Sequence, residues 1–201
     1  MNFKNNLELS IYLRSFGIFD TNIISAIEET PIDLFNIDSL TSNDGFKKKN
    51  NVAYLSAVIA QKLKLKSHEK ILEIGTGSGY LTAIFSRLSR KVYTIESSKI
   101  LYVSANNNFK KLKLTNITSK CEVGLNGWPE VSTFDKIFIA GVINQINDVL
   151  IKQIHVNGIF VFPTLTPSGL KILQLFKVDK NKSLTKIEDI CEVNFDYFKT
   201  L

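Results

Sequence analysis

Residues 70–80 read Lys-Ile-Leu-Glu-Ile-Gly-Thr-Gly-Ser-Gly-Tyr, a short apolar run followed by three alternating glycines. The apolar run predicts a buried β-strand, and residues 80–88 have the spacing of a helix. Glycine has no Cβ, so the backbone between strand and helix can turn sharply and approach a ligand closely. The free N–H groups at the start of a helix add a partial positive charge there. The stretch therefore predicts a ligand-binding loop inside an α/β fold.

Strands and helices alternate on the carboxyl side of this loop. Strand patterns occupy residues 91–96, 117–123, 134–140 and 158–163, and helical patterns occupy residues 99–112 and 145–155. Such alternation predicts βαβ units and a mostly parallel, Rossmann-like sheet. Two more strand patterns, 171–177 and 187–195, have no clear helix between them, which predicts an antiparallel hairpin at the sheet edge. The expected fold is α/β with a seven-stranded sheet.

The first third of the chain has a helical character of its own. Helical patterns cover residues 7–16, 20–29 and 51–65, with Asp20 as the predicted cap of the second helix. Residues 36–51 are polar and irregular, which predicts a loop. We therefore expect a single domain over 1–201, with an N-terminal helical extension at 1–66 and an α/β core at 67–201 that contains the predicted ligand-binding loop.

Composition narrows the class of protein. The chain has 201 residues, 44% hydrophobic and 22% charged, which suits a globular domain with a full core. It contains neither the apolar run of a membrane span nor a signal-peptide pattern, so a cytoplasmic location without a membrane partner is expected. Cys121 and Cys191 fit no metal spacing and are expected as buried thiols, with no metal site.

The net charge of +6 raises the question of a nucleic-acid partner. Three arginines only are present, and the remaining positive charge is lysine in a chain rich in Ile, Asn and Lys. The densest cluster, residues 47–49, is more typical of a solvated loop than of a phosphate-binding patch. We expect no nucleic-acid partner and a monomeric protein.

Two acidic residues frame the glycine loop. Glu73 lies two residues before Gly75, and Glu96 ends the next strand. A carboxylate at the second position can accept both hydroxyls of a ribose, as in dinucleotide sites. A carboxylate at the first position would repel a pyrophosphate but suits a cationic sulfonium that carries an amino group. The alternatives are a solvated strand-end acid for Glu73 and a helix-capping acid for Glu96.

The spacing of the glycines is GxGxG and not the GxGxxG of pyrophosphate binders. Together with Glu73, this spacing favours S-adenosylmethionine over another adenosine-containing cofactor. The residues predicted to bind it are Glu73, Gly75, Thr76, Gly77, Ser78, Gly79 and Glu96.

Residues 70–163 resemble the class I S-adenosylmethionine-dependent methyltransferases, and within that class the protein-L-isoaspartate O-methyltransferase family. Residues 72–80 are nearly identical to that family's glycine-loop motif. The segments 127–129 and 158–163 are also similar to the corresponding segments of the family. Upstream, Arg14 with residues 17–20 and 27–35 looks like the family's N-terminal helices. The resemblance covers most of the chain.

The resemblance implies methyl transfer to the α-carboxylate of isoaspartyl residues in damaged proteins, so a protein or peptide is the implied substrate. The resulting ester collapses to a succinimide, which reopens partly to aspartate. A carboxylate is already ionised near pH 7, so this chemistry needs positioning and no general base. Neither His68 nor His155 is therefore required for catalysis. No catalytic residue is assigned.

The sequence departs from the family at two places. Asn51 aligns with the family's acceptor-site serine, and the lysine cluster replaces its glycine-rich lead-in. After the third strand, Val123 stands where the family has an acid that can bind the adenine amino group. Glu122, one residue earlier, is the candidate replacement. These changes affect acceptor recognition more than cofactor binding.

Other functions compete with methylation of isoaspartyl residues. A nucleic-acid amino-methyltransferase would carry an Asn/Asp-Pro-Pro-aromatic segment after the fourth strand, where this chain has residues 139–142 reading Ile-Ala-Gly-Val. A methyltransferase acting on a small molecule stays open, because a fold does not determine a substrate. So does a relative that binds the cofactor with little or no turnover.

Overall fold

The computed structural model describes residues 6–35 and 49–197, with the backbone alone for residues 6 and 49–51. The helices are α1 (Asn6–Ser15), α2 (Thr21–Glu28), α3 (Lys49–Leu63), α4 (Tyr80–Leu88), α5 (Lys99–Lys111) and α6 (Asp148–Lys152). The strands are β1 (Lys70–Ile74), β2 (Lys91–Glu96), β3 (Ile117–Cys121), β4 (Phe134–Ile139), β5 (Ile154–Leu165), β6 (Lys171–Val178) and β7 (Leu184–Glu192).

The strands form a seven-stranded sheet in the order β3-β2-β1-β4-β5-β6-β7. Strands β1 to β5 are parallel, while β6 and β7 pair antiparallel at one edge. The predicted α/β fold with its late hairpin is confirmed. The strand order reverses between β1 and β4, and ligands of such sheets bind at the carboxyl ends of the strands beside that point.

The two faces of the sheet are covered differently. Ile59 and Leu63 of α3 pack with Phe85 of α4 on one face. On the other face, Leu150 of the short helix α6 lies in a cluster with Leu72 and Phe160. Two 3-10 turns, Gly124–Asn126 and Pro129–Val131, connect β3 to β4. None of the described helices is long and apolar enough to cross a bilayer.

The N-terminal helices share a core with the sheet domain. Leu13 of α1 and Ile24 of α2 belong to the same buried cluster as Ala83 and Ile84 of α4. The predicted cap is confirmed, because the Asp20 side chain accepts hydrogen bonds from the N–H groups of Asn22 and Ile23. The predicted loop over residues 36–51 lies mostly outside the described residues.

Several details differ from the sequence prediction. Strand β7 spans Leu184–Glu192 and not residues 187–195, and β5 begins at Ile154 and not at residue 158. The helix expected over 145–155 is confined to α6, and His155, expected at the end of a helix, lies in β5. The apolar residues at 146, 149, 150 and 154 have helical spacing, and the pairing of Ile154 with Phe134 of β4 decides for a strand at the carboxyl end of this segment. Cys121 and Cys191 are free thiols, and both are half-buried where buried thiols were expected.

Candidate cofactor site

The glycine loop turns between the carboxyl ends of β2 and β4. Gly75, Gly77 and Gly79 have φ angles of +96°, +56° and +86°, in the left-handed region that favours glycine. The N–H groups of Gly75 and Thr76 both donate to the carbonyl oxygen of Ile95, over 2.8 and 3.3 Å. A Cβ on Gly75 would lie 3.0 Å from the Cβ of Ala140, so the loop also abuts the segment after β4.

Glu96 ties this loop to the start of α5. Its Oε2 accepts a hydrogen bond from the Gly77 N–H, and its Oε1 accepts one from the Ser98 N–H, each over 2.8 Å. The side-chain cap of α5 is Ser98, whose hydroxyl accepts from the Leu101 N–H. The alternative of Glu96 as the helix cap is therefore wrong. Because each carboxylate oxygen has a second lone pair, both stay able to accept a ligand hydroxyl.

Glu73 is buried beneath the loop with 1% of its surface exposed, so the alternative of a solvated strand-end acid is wrong. Its Oε2 accepts hydrogen bonds from the hydroxyls of Thr82 in α4 and Thr94 in β2, the latter over 2.8 Å. The Thr94 hydroxyl lies 2.6 Å from that of Thr76 in the loop. Three threonines thus connect this carboxyl to α4, to β2 and to the glycine loop, beside the crevice at the carboxyl ends of the strands.

Burial gives Glu73 an unusual titration. Loss of solvation raises the pKa of this carboxyl to about 8, and the nearby charge of Glu96 acts in the same direction. In the unliganded protein Glu73 is therefore mainly protonated near pH 7. A cation bound beside it would favour the ionised form, so its charge depends on what the site holds.

Several polar groups of the site are left for a ligand. Among the described residues, none donates a hydrogen bond to Glu73 Oε1, and none accepts one from the Ser78 N–H. A Cβ on Gly77 would meet nothing within 4 Å, so the loop leaves open space there. A buried acid, a free N–H group and a second acid at the crevice fit a ligand with hydroxyl, amino and carboxylate groups.

The other predicted site residues are placed less directly. The side chain of Glu122 is 60% exposed and forms an ion pair with Lys120 over 2.8 Å. Its backbone N–H donates to the Glu96 carbonyl, so this residue borders the crevice while its carboxylate faces Lys120. The neighbouring Val123 is half-buried. The backbone of Asn51 lies in the first turn of α3, and its side chain is outside the described part of the chain.

The two histidines lie away from the loop. His68 precedes β1, and His155 lies near the start of β5, so both are exposed at the amino edge of the sheet. The residues that the sequence did not reveal are Thr82 and Thr94. Each is a buried polar residue on an otherwise apolar face. A threonine inside an apolar pattern was the feature of the sequence that could have indicated a buried polar contact. The periodicity could not show that both hydroxyls meet the same carboxyl.

Solved structures share this fold. A protein-L-isoaspartate O-methyltransferase superposes with a TM-score of 0.83 over 97% of this chain and 66% of that chain, at 24% identity. A Plasmodium falciparum structure described as an enzyme of the same name, in complex with S-adenosyl-L-homocysteine, gives 0.74 over 98% of this chain and 99% of that chain, at 20% identity. These likenesses bear on the fold alone.

Sheet order, glycine loop and paired acids define a class I S-adenosylmethionine-dependent methyltransferase, as predicted from the sequence. The model of the family "Protein-L-isoaspartate(D-aspartate) O-methyltransferase" matches residues 4–196, and the chain belongs to this family. A relative of that name from Paramagnetospirillum magneticum is 33% identical, covering 87% of this chain and 86% of its own. One from Nitrosococcus oceani is 36% identical, covering 81% of each.

Proposed function

We propose that this protein transfers a methyl group from S-adenosylmethionine to the α-carboxylate of L-isoaspartyl residues in damaged proteins. The observation that carries the proposal is the pair of acids, Glu73 and Glu96, on either side of the glycine loop in a chain of this family. The family's named relatives support the substrate.

Each residue around the loop would bind a different part of the cofactor. Glu96 would accept the ribose hydroxyls, since its two oxygens are already held in position by Gly77 and Ser98. Glu73 would take the amino group through Oε1, and the Ser78 N–H in the loop before α4 would bind the cofactor's carboxylate. When bound, S-adenosylmethionine supplies an electrophilic methyl group on a sulfonium.

The methyl acceptor requires no general base from the protein. An isoaspartyl α-carboxylate is ionised near pH 7 and is itself the nucleophile. Residues 140–142 after β4 adjoin the loop, and Gly141 and Val142 are buried, so this wall excludes water without offering a base. The protein would act by holding the carboxylate in line with the methyl group.

The same proposal assigns the protein to the repair of aged proteins in the cytoplasm, acting as a monomer. No metal is required, because the leaving group is a neutral thioether that needs no Lewis acid. Glu122 would adjoin the adenine through its backbone, since its carboxylate pairs with Lys120.

Transfer of labelled methyl groups to matched peptides tests the function. We expect base-labile methyl ester on an L-isoaspartyl peptide and none on its aspartyl twin. Transfer to neither peptide, with S-adenosylhomocysteine still binding in calorimetry, would favour another acceptor or a relative without turnover. Absence of binding as well would reject the cofactor assignment itself.

A substitution at Glu96 tests the cofactor site directly. In Glu96→Gln, the amide nitrogen would face either the Gly77 or the Ser98 N–H donor, so the loop loses a charge-assisted bond. We expect the affinity for S-adenosylhomocysteine to fall about tenfold or more. Glu130→Gln is the matched control, because Glu130 is exposed in the Pro129–Val131 turn. An equal loss in both variants would count against the site.

A further inference from the structure

The chain after β7 crosses the carboxyl edge of the sheet toward the cofactor crevice. The Val193 N–H donates to the Lys171 carbonyl at the start of β6, over 2.9 Å. The Val142 N–H, after β4, donates to the Asp196 carbonyl over 2.9 Å, and Val142 and Tyr197 form a parallel bridge. Residues 193–197 therefore run from β6 back to the segment that borders the glycine loop.

Side chains fix this crossing segment as firmly as its backbone does. The ring of Phe195 packs against Phe138 of β4, with ring centroids 6.3 Å apart. The Lys171 ammonium donates to the Phe195 carbonyl over 2.7 Å and lies 4.9 Å from the centre of the Tyr197 ring. A cation held by a carbonyl and an aromatic face is pre-organised, so binding an anion there costs little side-chain entropy.

The Lys171 ammonium keeps donor capacity for a ligand. An ammonium has three N–H protons, and one of them is used by the Phe195 carbonyl. Within residues 6–35 and 49–197, no carboxylate forms an ion pair with it. Tyr197 as a whole is 57% exposed, which leaves Lys171 and Tyr197 accessible to a peptide at the surface.

Lys171 and Tyr197 are placed to bind a substrate residue that neighbours the methylated residue, and not the methylated residue itself. Glu96 defines the ribose side of the crevice, so the acceptor approaches from the opposite side, over β4. Neighbouring strands are about 4.8 Å apart, which puts the start of β6 about 10 Å from the end of β4. An extended peptide advances about 3.3 Å per residue, so the ammonium would meet a side chain about two or three residues from the acceptor.

We propose that Lys171 and Tyr197 form a subsite that binds an acidic side chain of the substrate, two or three residues from the methylated isoaspartyl residue. This inference rests on the proposed function, because it takes a peptide as the acceptor. The ammonium selects the carboxylate, and the Tyr197 ring and the Phe195 carbonyl hold the ammonium in place.

Paired peptides test the subsite. They contain one L-isoaspartyl residue and carry either Glu or Gln at the second or third position on either side of it. For one of these placements, we expect the wild-type KM to be about three to five times lower with Glu, the range of a partly exposed ion pair, with kcat unchanged. In Lys171→Met this ratio falls to about one. Tyr197→Phe keeps the ratio, because the ring remains, and Tyr197→Ala reduces it.

Lys177→Met is the matched control, since Lys177 is an exposed lysine on the same strand. It removes the same unit of net charge, so it should leave the preference intact. A wild-type protein that treats Glu and Gln peptides alike, or a Lys171→Met variant with an unchanged ratio, overturns the subsite. Because each ratio is internal to one variant, a general loss of stability does not imitate the effect.

Binding without turnover separates this inference from the proposed function. Fluorescence anisotropy of the same labelled peptides, with S-adenosylhomocysteine present, measures the preference directly. If the wild-type protein methylates no isoaspartyl peptide, the proposed function fails, while a Lys171-dependent preference in anisotropy still supports the subsite. Equal binding of Glu and Gln peptides rejects it whether or not methyl transfer occurs.

Discussion

Burial of Glu73 lowers the stability of the folded protein, and the same residue belongs to the proposed cofactor site. It is buried, and its carboxyl receives hydrogen bonds at one oxygen from Thr82 and Thr94. In the unfolded chain this group ionises near pH 4.5, and in the folded protein near pH 8. Between these values the folded state retains a proton that the unfolded state has released. The free energy of unfolding therefore falls as the pH rises through this window.

Replacement of Glu73 by Gln should increase stability and reduce affinity at the same time. The neutral amide removes the titration, so Glu73→Gln should be more stable than the wild type, by an amount that grows from pH 5 to pH 8. We expect this difference to grow by about 3 to 4 kcal/mol between pH 5 and pH 8, because each unit of pKa difference is worth about 1.4 kcal/mol. Urea unfolding of the unliganded proteins across this range measures it, and calorimetry should show weaker binding of S-adenosylhomocysteine.

A difference that stays constant with pH would show that Glu73 does not titrate in this window. Unchanged affinity would show that the buried acid serves the fold and not the ligand. Glu130→Gln provides the comparison, because this exposed acid should change neither quantity.

At the scale of elements, the start of α4 depends on close packing against α5. Gly79 precedes α4 with a φ of +86°, and a Cβ there would lie 2.6 Å from Cε1 of Phe109 in α5. Gly77 has a φ of +56°, and a Cβ there would meet nothing within 4 Å. The two glycines therefore serve different purposes, although the sequence presents them as equivalent.

The two corresponding alanine variants should differ in stability. Gly77→Ala adds a left-handed alanine and should cost about 1 kcal/mol. Gly79→Ala adds that strain and must also displace the Phe109 ring, which should bring the loss to about 3 kcal/mol. Urea unfolding of the unliganded proteins measures both. Equal losses would mean that the contact with Phe109 does not constrain the loop.

The elements that the sequence predicted well are those defined by local pattern. The strands β1, β2 and β4, the cap at Asp20 and the glycine loop follow from spacing within about ten residues. The prediction from the sequence was wrong at the carboxyl end of the helical pattern 145–155, where residues 154 and 155 lie in β5. Its apolar residues have helical spacing, and the pairing of Ile154 with Phe134 is a tertiary contact that no local window contains.

At the scale of the whole molecule, we propose that the N-terminal helices and the α/β core form one cooperative unit. Ile24 of α2 is 4% exposed and lies in the cluster that contains Ala83 and Ile84 of α4. Trp128, the single tryptophan, lies in a separate cluster on the opposite face of the sheet. Its fluorescence therefore reports on the core at a distance from these helices.

Ile24→Ala tests this cooperativity. Truncation of a buried isoleucine should lower the free energy of unfolding by about 3 kcal/mol. We expect Trp128 fluorescence and far-ultraviolet circular dichroism to move together to the same lower urea midpoint. Ile100→Ala is the control, because Ile100 is 81% exposed. A Trp128 transition that stays in place while the dichroism splits would show that the helices unfold independently.

The sequence by itself determined the order of strands and helices along the chain and the glycine loop with Glu73 before it, because each depends on neighbours close in the chain. It also indicated Glu96 from its place at the end of the next strand. The tertiary structure alone decided that Glu73 is buried against Thr82 and Thr94. It also decided that Lys171 meets Tyr197. These contacts join segments that only the packing of strands and helices brings together, and burial, which sets the pKa of Glu73, is a property of that packing.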